Sequence, residues 1–161
     1  MSAEPQSIRD LASAQAAIDE LVAATQWQLD ILSPALDPYL YSRAPVATAV
    51  QRIVVDGGRR ARIRILLEDG AGLSRSGHRL IRLAQQFTSA IEVRRLSEEF
   101  QDEGDAWLAG DDNRVLLWRP GRDYLGRFHA DSRREARRLA LRFQDRWERA
   151  ESEPELRRLS L

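Results

Sequence analysis

The chain has 161 residues, 43% hydrophobic and 31% charged, which excludes a disordered chain and suffices for one core without metals or disulfides. Twenty-five cationic side chains balance twenty-five carboxylates, so no global field draws the protein onto nucleic acid or an anionic membrane. All twenty-five cations are arginine; without lysine or cysteine there is no Schiff-base chemistry, phosphate-loop lysine, thiol nucleophile, thiolate metal site or disulfide.

Ser7 and Asp10 form an S-x-x-D start signal, and Leu11, Ala14, Ile18, Leu21, Val22 and Thr25 follow at helical spacing, predicting a first helix. Trp27, Leu29 and Ile31 alternate up to Ser33-Pro34, predicting a strand and then the loop SPALDPYLYSR. Pro45 suits a first turn, Val46, Ala49, Val50, Ile53 and Val54 share a face, and Gly57-Gly58 end this second helix. Ile63, Ile65 and Leu67 alternate in a second strand, which completes a βαβ unit with a parallel pair. EDGAGLS leads into a third helix with Leu73, Gly77, Leu80, Ile81, Ala84 and Phe87 on one face, and Ile91 and Val93 supply a third strand. The acidic, aperiodic SEEFQDEGD reads as a mobile loop.

Thereafter the pattern changes. Two apolar runs, 106–109 and 115–118, flank Gly110-Asp111-Asp112-Asn113 and predict a β-hairpin. Pro120-Gly121 break the second run, Gly126 to His129 form a short strand, and a last helix carries Ala136, Leu139, Ala140, Phe143, Trp147 and Ala150 on one face. The expected organisation is one α/β domain over residues 1–150 and a polar tail over 151–161. No basic stretch precedes an apolar run at the N-terminus and no segment approaches about 18 consecutive apolar residues, so a cytoplasmic setting without a membrane is expected.

A βαβαβ half, a hairpin and a closing helix with Phe143-x-x-x-Trp147 resemble one copy of the phospholipase D-like fold. This implies a mixed sheet flanked by helices. Active members of that superfamily carry His-x-Lys on the first hairpin strand with Asp five residues after the Lys. Asp105, Trp107 and Asp112 have this spacing here, so only the third position is kept. In that superfamily His attacks phosphorus and Lys steadies the phosphate oxygens, whereas an Asp repels a phosphodiester and an indole offers one neutral donor. Asp112 also fits its place as ordinary turn chemistry. SPALDPYLYSR, ARIRILLEDG, SGHRLIRLAQQF, SAIEVRRL and the ending FQDRWERAESEPELRRLSL are similar to an uncharacterised bacterial family of short domains, alone or appended to GNAT-type acetyltransferases. No activity comes with that resemblance, and the chain has no acetyl-CoA-binding pattern.

In a parallel sheet, ligands sit at the strands' carboxyl ends. That rule gathers Asp37, Tyr41 and Arg43 after the first strand and Asp69, His78 and Arg79 after the second as ligand-binding candidates, with Ser33, Tyr39 and Ser74 beside them. His78, in the first turns of its helix, either acts as a neutral base or ligand-orienting group beside Asp69 or ties the strand-to-helix loop. His129 reads as structural, and two isolated His make no metal site. Arg134, Arg138, Arg142 and Arg146 form an i, i+4 ladder that could grip phosphates, or a solvated face paired with Asp131, Glu135, Asp145 and Glu148. The functional expectation is therefore a non-catalytic phospholipase D-like module, without cofactor or metal, that binds a protein partner or a small anionic ligand. Nucleic-acid binding by the last helix and hydrolysis at a relocated site around His78 are the alternatives. A homodimer is expected because Trp107, Leu116, Leu117 and Trp118 give the hairpin more apolar surface than one sheet face hides.

Overall fold

The computed structural model describes residues 4–101, 103–119 and 123–153. The elements are β1 (Gln6–Ile8), α1 (Leu11–Ala24), β2 (Gln28–Leu32), α2 (Pro38–Tyr41), α3 (Ala44–Gly57), β3 (Arg62–Leu67), α4 (Arg79–Gln86), β4 (Ile91–Arg95), β5 (Ala106–Gly110), β6 (Arg114–Trp118), β7 (Gly126–His129), α5 (Arg133–Arg149) and β8 (Glu151–Ser152). They build one mixed sheet in the order β1-β7-β6-β5-β2-β3-β4-β8. β2, β3 and β4 are parallel, joined by helical crossovers, and β5 turns antiparallel against β2 to open the hairpin half. The expected βαβαβ half, hairpin and closing helix are all present.

Side-chain alternation divides the sheet into two faces. Leu29, Ile31, Ile63, Ile65, Leu108 and Leu116 pack with α1, α3 and α4 in the larger core, while Leu32, Leu66, Trp107 and Val115 pack with Ala136, Leu139, Phe143 and Trp147 of α5 in the smaller one. Sheet faces covered on both sides explain why β3 is buried from Ile63 to Leu67 although its sequence alternates.

Several boundaries differ from expectation. Ser7 lies in β1, a strand missed in the sequence, and the capping box of α1 is Asp10 with Ser13. Part of the loop after β2 winds into α2, capped by Asp37. The third helix starts only at Arg79, because Gly72 and Gly77 take positive φ and hold 71–77 in turns; Leu73 packs on the core from a turn. The acidic segment is laid against α5: Glu98–Phe100 form a 3-10 turn and Glu103 pairs with Arg146 at 2.7 Å. On α5, Ala140 is exposed and Arg146 takes a place in the buried stripe. Glu151 and Ser152 pair with β4 as an edge strand, so the sheet continues into the expected tail; residues 154–161 lie outside the described residues.

Most of the hairpin's apolar surface is covered within the chain. Of its four apolar residues, Trp107, Leu116 and Trp118 are buried within the single chain, between the α1 side and α5, and Leu117 is half-buried against the α5 core. The two faces of the sheet are covered by the chain's own helices.

Candidate functional site

The carboxyl ends of β2 and β6 do enclose a cavity, of about 790 Å³, lined by Arg9, Ser33, Asp37, Trp118 and Tyr124 among others. Asp37 is the one ligand-binding candidate of the six that lines it. Its carboxylate accepts the Tyr39 amide at 2.9 Å and the Tyr124 hydroxyl at 2.8 Å, so it caps α2 and tethers the segment after β6.

The other five are tied elsewhere. His78 is buried and is the N-cap of α4: Nδ1 accepts the Leu80 amide at 3.2 Å, which leaves the proton on Nε2 to donate to the Leu36 carbonyl at 3.0 Å. Burial pushes its pKa down, against the opposing pull of the Leu36 hydrogen bond and Asp37. Both ring nitrogens are thus spent on holding the loop, whose Leu36 sits at φ 50°. Asp69 is exposed and accepts the Ala71 amide at 2.9 Å in a turn. Arg43 grips Asp19 at 2.8 Å and joins α1 to the start of α3. Tyr41 is fully buried, its hydroxyl without a partner and its pKa pushed well up by burial. Arg79 donates its backbone amide to Ser42 Oγ at 3.0 Å and keeps an exposed side chain. These contacts build loops and caps.

The motif strand is equally committed to packing. Trp107 is 1% exposed beneath α5, its indole N–H unpartnered, with the Arg142 and Arg146 guanidiniums 4.9 and 5.8 Å from its ring centroid. Asp105 is half-buried and lies 3.6 Å from Arg142. Asp112 is exposed at the turn. Its neighbour Asp111 performs the turn's chemistry: at φ 51° its carboxylate accepts the amides of Gln26, Trp27 and Gln28 at 3.0, 3.1 and 3.2 Å. Sequence reading missed Asp111, though an Asp tolerating positive φ in a short hairpin turn was the available signal.

The four ladder arginines do not share one face. Each i, i+4 step advances about 40° around a helix, so four members spread over about 120°. Arg134 is exposed, Arg138 pairs with Glu135 at 2.9 Å, Arg142 is half-buried over Trp107, and Arg146 is buried against Glu103 and the Phe100 ring.

A second depression, of about 590 Å³, opens between β7 and α5, directly beside Asp105. Arg119, Arg127, His129, Arg138 and Arg142 line it, with Asp105 and Glu135 as its carboxylates. Arg127 and His129 stand opposite Leu117 and Val115 on the α5 face, while Phe128 between them is buried on the other. Arg119 and Arg127 have no ion pair among the described residues. The alternation in Gly-Arg-Phe-His was the sequence signal for this pair. Among the described residues, no three His, Asp or Glu converge as metal ligands, and no helix is long and apolar enough to cross a membrane.

Comparison with known proteins agrees with this architecture. A domain of unknown function, DUF7931, matches residues 10–159. No curated protein matches the sequence. Among solved structures, the archaeal chromatin protein TrmBL2, whose structure shows a novel mode of DNA binding, is 18% identical with a TM-score of 0.67. The alignment covers 94% of this chain, which spans only 55% of that one. Nuc from Salmonella typhimurium, a phospholipase D family member, is 14% identical with a TM-score of 0.63, and NucT from Helicobacter pylori 9% identical with 0.62. Both alignments cover 93% of this chain and 99% of the other. At these identities the likeness is one of fold: a phospholipase D-like mixed sheet flanked by helices.

Proposed function

The chain belongs to the DUF7931 family, and from its phospholipase D-like fold we propose a non-catalytic module that binds a small anionic ligand in the furrow between β7 and α5. The observation that carries this reading is Trp107. At the place where the active superfamily positions a phosphate-steadying lysine, an indole is packed under α5. At the place of the nucleophile, Asp105 lies against Arg142. An indole is not a nucleophile, the Asp105 carboxylate faces the Arg142 guanidinium at 3.6 Å, and His78 has both nitrogens engaged. In the furrow beside them Arg119 and Arg127 have no carboxylate partner among the described residues, a field suited to phosphate or carboxylate oxygens.

Purified protein incubated with bis(p-nitrophenyl) phosphate, with and without divalent metals, is expected to show no turnover. Turnover that survives repurification and vanishes in His78→Ala or His129→Ala overturns the non-catalytic reading. Pyrophosphate should raise the melting temperature of the parent chain but not of Arg127→Ala; an equal rise in both overturns the furrow.

A second reading, nucleic-acid binding, draws on the same unpaired arginines and on the DNA-binding chromatin protein of similar fold. A steep fall in DNA affinity with salt would favour it. Self-association is a separate proposal, resting on the single-copy fold alone; sedimentation equilibrium that returns 18.4 kDa at micromolar concentration refutes it.

A further inference from the structure

The two halves of α5 present arginines in different states. In the C-terminal half, Arg142, Arg146 and Arg149 receive the chain's own acidic segment. Glu103 lies 2.7 Å from Arg146, Glu99 3.3 Å from Arg149 and Asp105 3.6 Å from Arg142. Phe100 is the apolar anchor of that segment, with the Arg146 and Arg149 guanidiniums 4.6 and 5.7 Å from its ring. Carboxylates bind the guanidinium ends while one apolar side chain lies between them.

The N-terminal half presents the same kinds of group at the surface. Arg133, Arg134, Arg137 and Arg138 surround Leu141, which is 71% exposed, in a depression of about 540 Å³. Leu141 and the arginines' aliphatic arms supply its apolar lining, while the guanidiniums carry its charge. Arg138 is paired with Glu135; Arg133, Arg134 and Arg137 have no ion pair among the described residues. The adjoining depression, which Arg133 and Arg137 also line, holds Asp30, Asp111 and Asp112; Asp30 is spent on Arg64 and Asp111 on the amides of Gln26, Trp27 and Gln28, which leaves Asp112 as its exposed carboxylate.

We propose that the Arg133–Leu141 surface of α5 docks an acidic peptide segment of a partner protein, with one apolar side chain of that segment seated on Leu141. The occupant follows from charge complementarity and from the template within the chain, where α5 already takes an acidic segment with an aromatic anchor. A polynucleotide would satisfy the arginines but leave Leu141 without an apolar partner, and no exposed aromatic ring stands among these residues to stack a base. This surface adjoins the anion furrow at Arg138, which lines both, and the variants below leave Arg119, Arg127, Arg138 and Arg142 intact.

The test uses a fluorescent peptide with the sequence of residues 97–105, titrated into the full chain and followed by anisotropy. Arg134→Glu with Arg137→Glu should weaken binding by at least about tenfold, because two attractive rim charges become repulsive. Leu141→Asp should weaken it comparably, as should replacing the peptide's Phe by Ala. All three protein positions are exposed, so melting temperatures should stay near the parent value and confirm folded protein. If Arg149→Ala abolishes binding while the Arg134/Arg137 pair leaves it unchanged, the peptide is displacing the internal segment and the proposal fails. It also fails if Leu141→Asp leaves peptide binding unchanged, or if a single-stranded oligonucleotide binds as tightly as the peptide. Pyrophosphate stabilisation should survive in the Arg134/Arg137 variant, which separates failure of this surface from failure of the furrow.

Discussion

Toward α1, α3 and α4, β2 and β3 present Leu29, Ile31, Ile63, Ile65 and Leu67; toward α5 the same strands present Asp30, Leu32, Arg64 and Leu66. The first face is a conventional apolar core. On the second, Arg64 is 5% exposed and makes a two-pronged ion pair with Asp30 at 2.9 and 3.0 Å. It also donates to Gln144 at 2.8 Å and lies 4.8 Å from the Phe143 ring centroid. Arg94 sits 4.2 Å from the Trp147 centroid, and Arg142 and Arg146 flank Trp107. Both faces exclude water, but one does so by aliphatic burial and the other by pairing guanidiniums with rings and carboxylates. In a chain whose every cation is arginine, this second route is open because the planar guanidinium is weakly hydrated and stacks.

The largest test of this contrast is Asp30→Ala, which leaves Arg64 charged and buried. Denaturant unfolding should show a loss of about 3–5 kcal/mol. Replacing both partners, Asp30→Leu with Arg64→Met, should recover most of it, since a buried pair exchanged for apolar groups of similar volume is often near neutral. If the double variant is as unstable as the single one, Arg64 acts through Gln144 and the Phe143 and Trp147 rings, 4.8 and 5.4 Å away, rather than through Asp30. On the opposite face, Leu108→Ala should cost about 2–5 kcal/mol through lost burial and the cavity left behind.

Legibility in the sequence follows the same division. Helical spacing in Leu11–Val22 and alternation in Trp27–Ile31 and Ile63–Leu67 report the apolar face, because nothing but side-chain period is needed there. The α5 face was read less well. Arg146 looked like one rung of a solvated ladder, and the acidic segment at 97–105 looked unattached, because ion pairs between distant segments leave no periodic trace. The hairpin's apolar excess was visible, yet its cover by two different layers was not, so it suggested a second copy. Of the two candidate cavities, the one at the end of β2 was legible through the carboxyl-end rule that pointed to Asp37, while the furrow with Arg127 and His129 was not, since a short strand with only one buried residue gives a weak signal.

His78 tests whether the apolar face tolerates a polar knot. His78→Ala removes the acceptor for Leu80 and the donor for Leu36 in a buried place and should cost about 1–3 kcal/mol. Its pKa is lowered from the ordinary 6.5 by burial, so the unfolded chain takes up its proton at a higher pH than the folded one. Stability from this group is therefore complete above about pH 6.5, declines as pH falls from there toward the folded pKa, and levels off below it. Comparing the parent with His78→Asn, which keeps a cap acceptor and cannot titrate, between about pH 7 and pH 5 isolates the effect before most carboxylates protonate. Parallel stability curves for the two proteins would mean that His78 is solvated rather than buried.

The smallest expected effect sharpens the comparison from the apolar side. Tyr41 lies in that core at 0% exposure, its ring 6.3 Å from Trp118, and its hydroxyl has no partner. A buried hydroxyl without a hydrogen bond is a cost the fold carries, and Phe has the same ring without it. Tyr41→Phe should leave stability unchanged or raise it by up to about 1 kcal/mol, read as a shift in denaturant midpoint at constant slope. A loss of more than about 1 kcal/mol would show that the hydroxyl is satisfied in solution by bound water. The face packed on α1, α3 and α4 would then depend on a polar contact as the α5 face does.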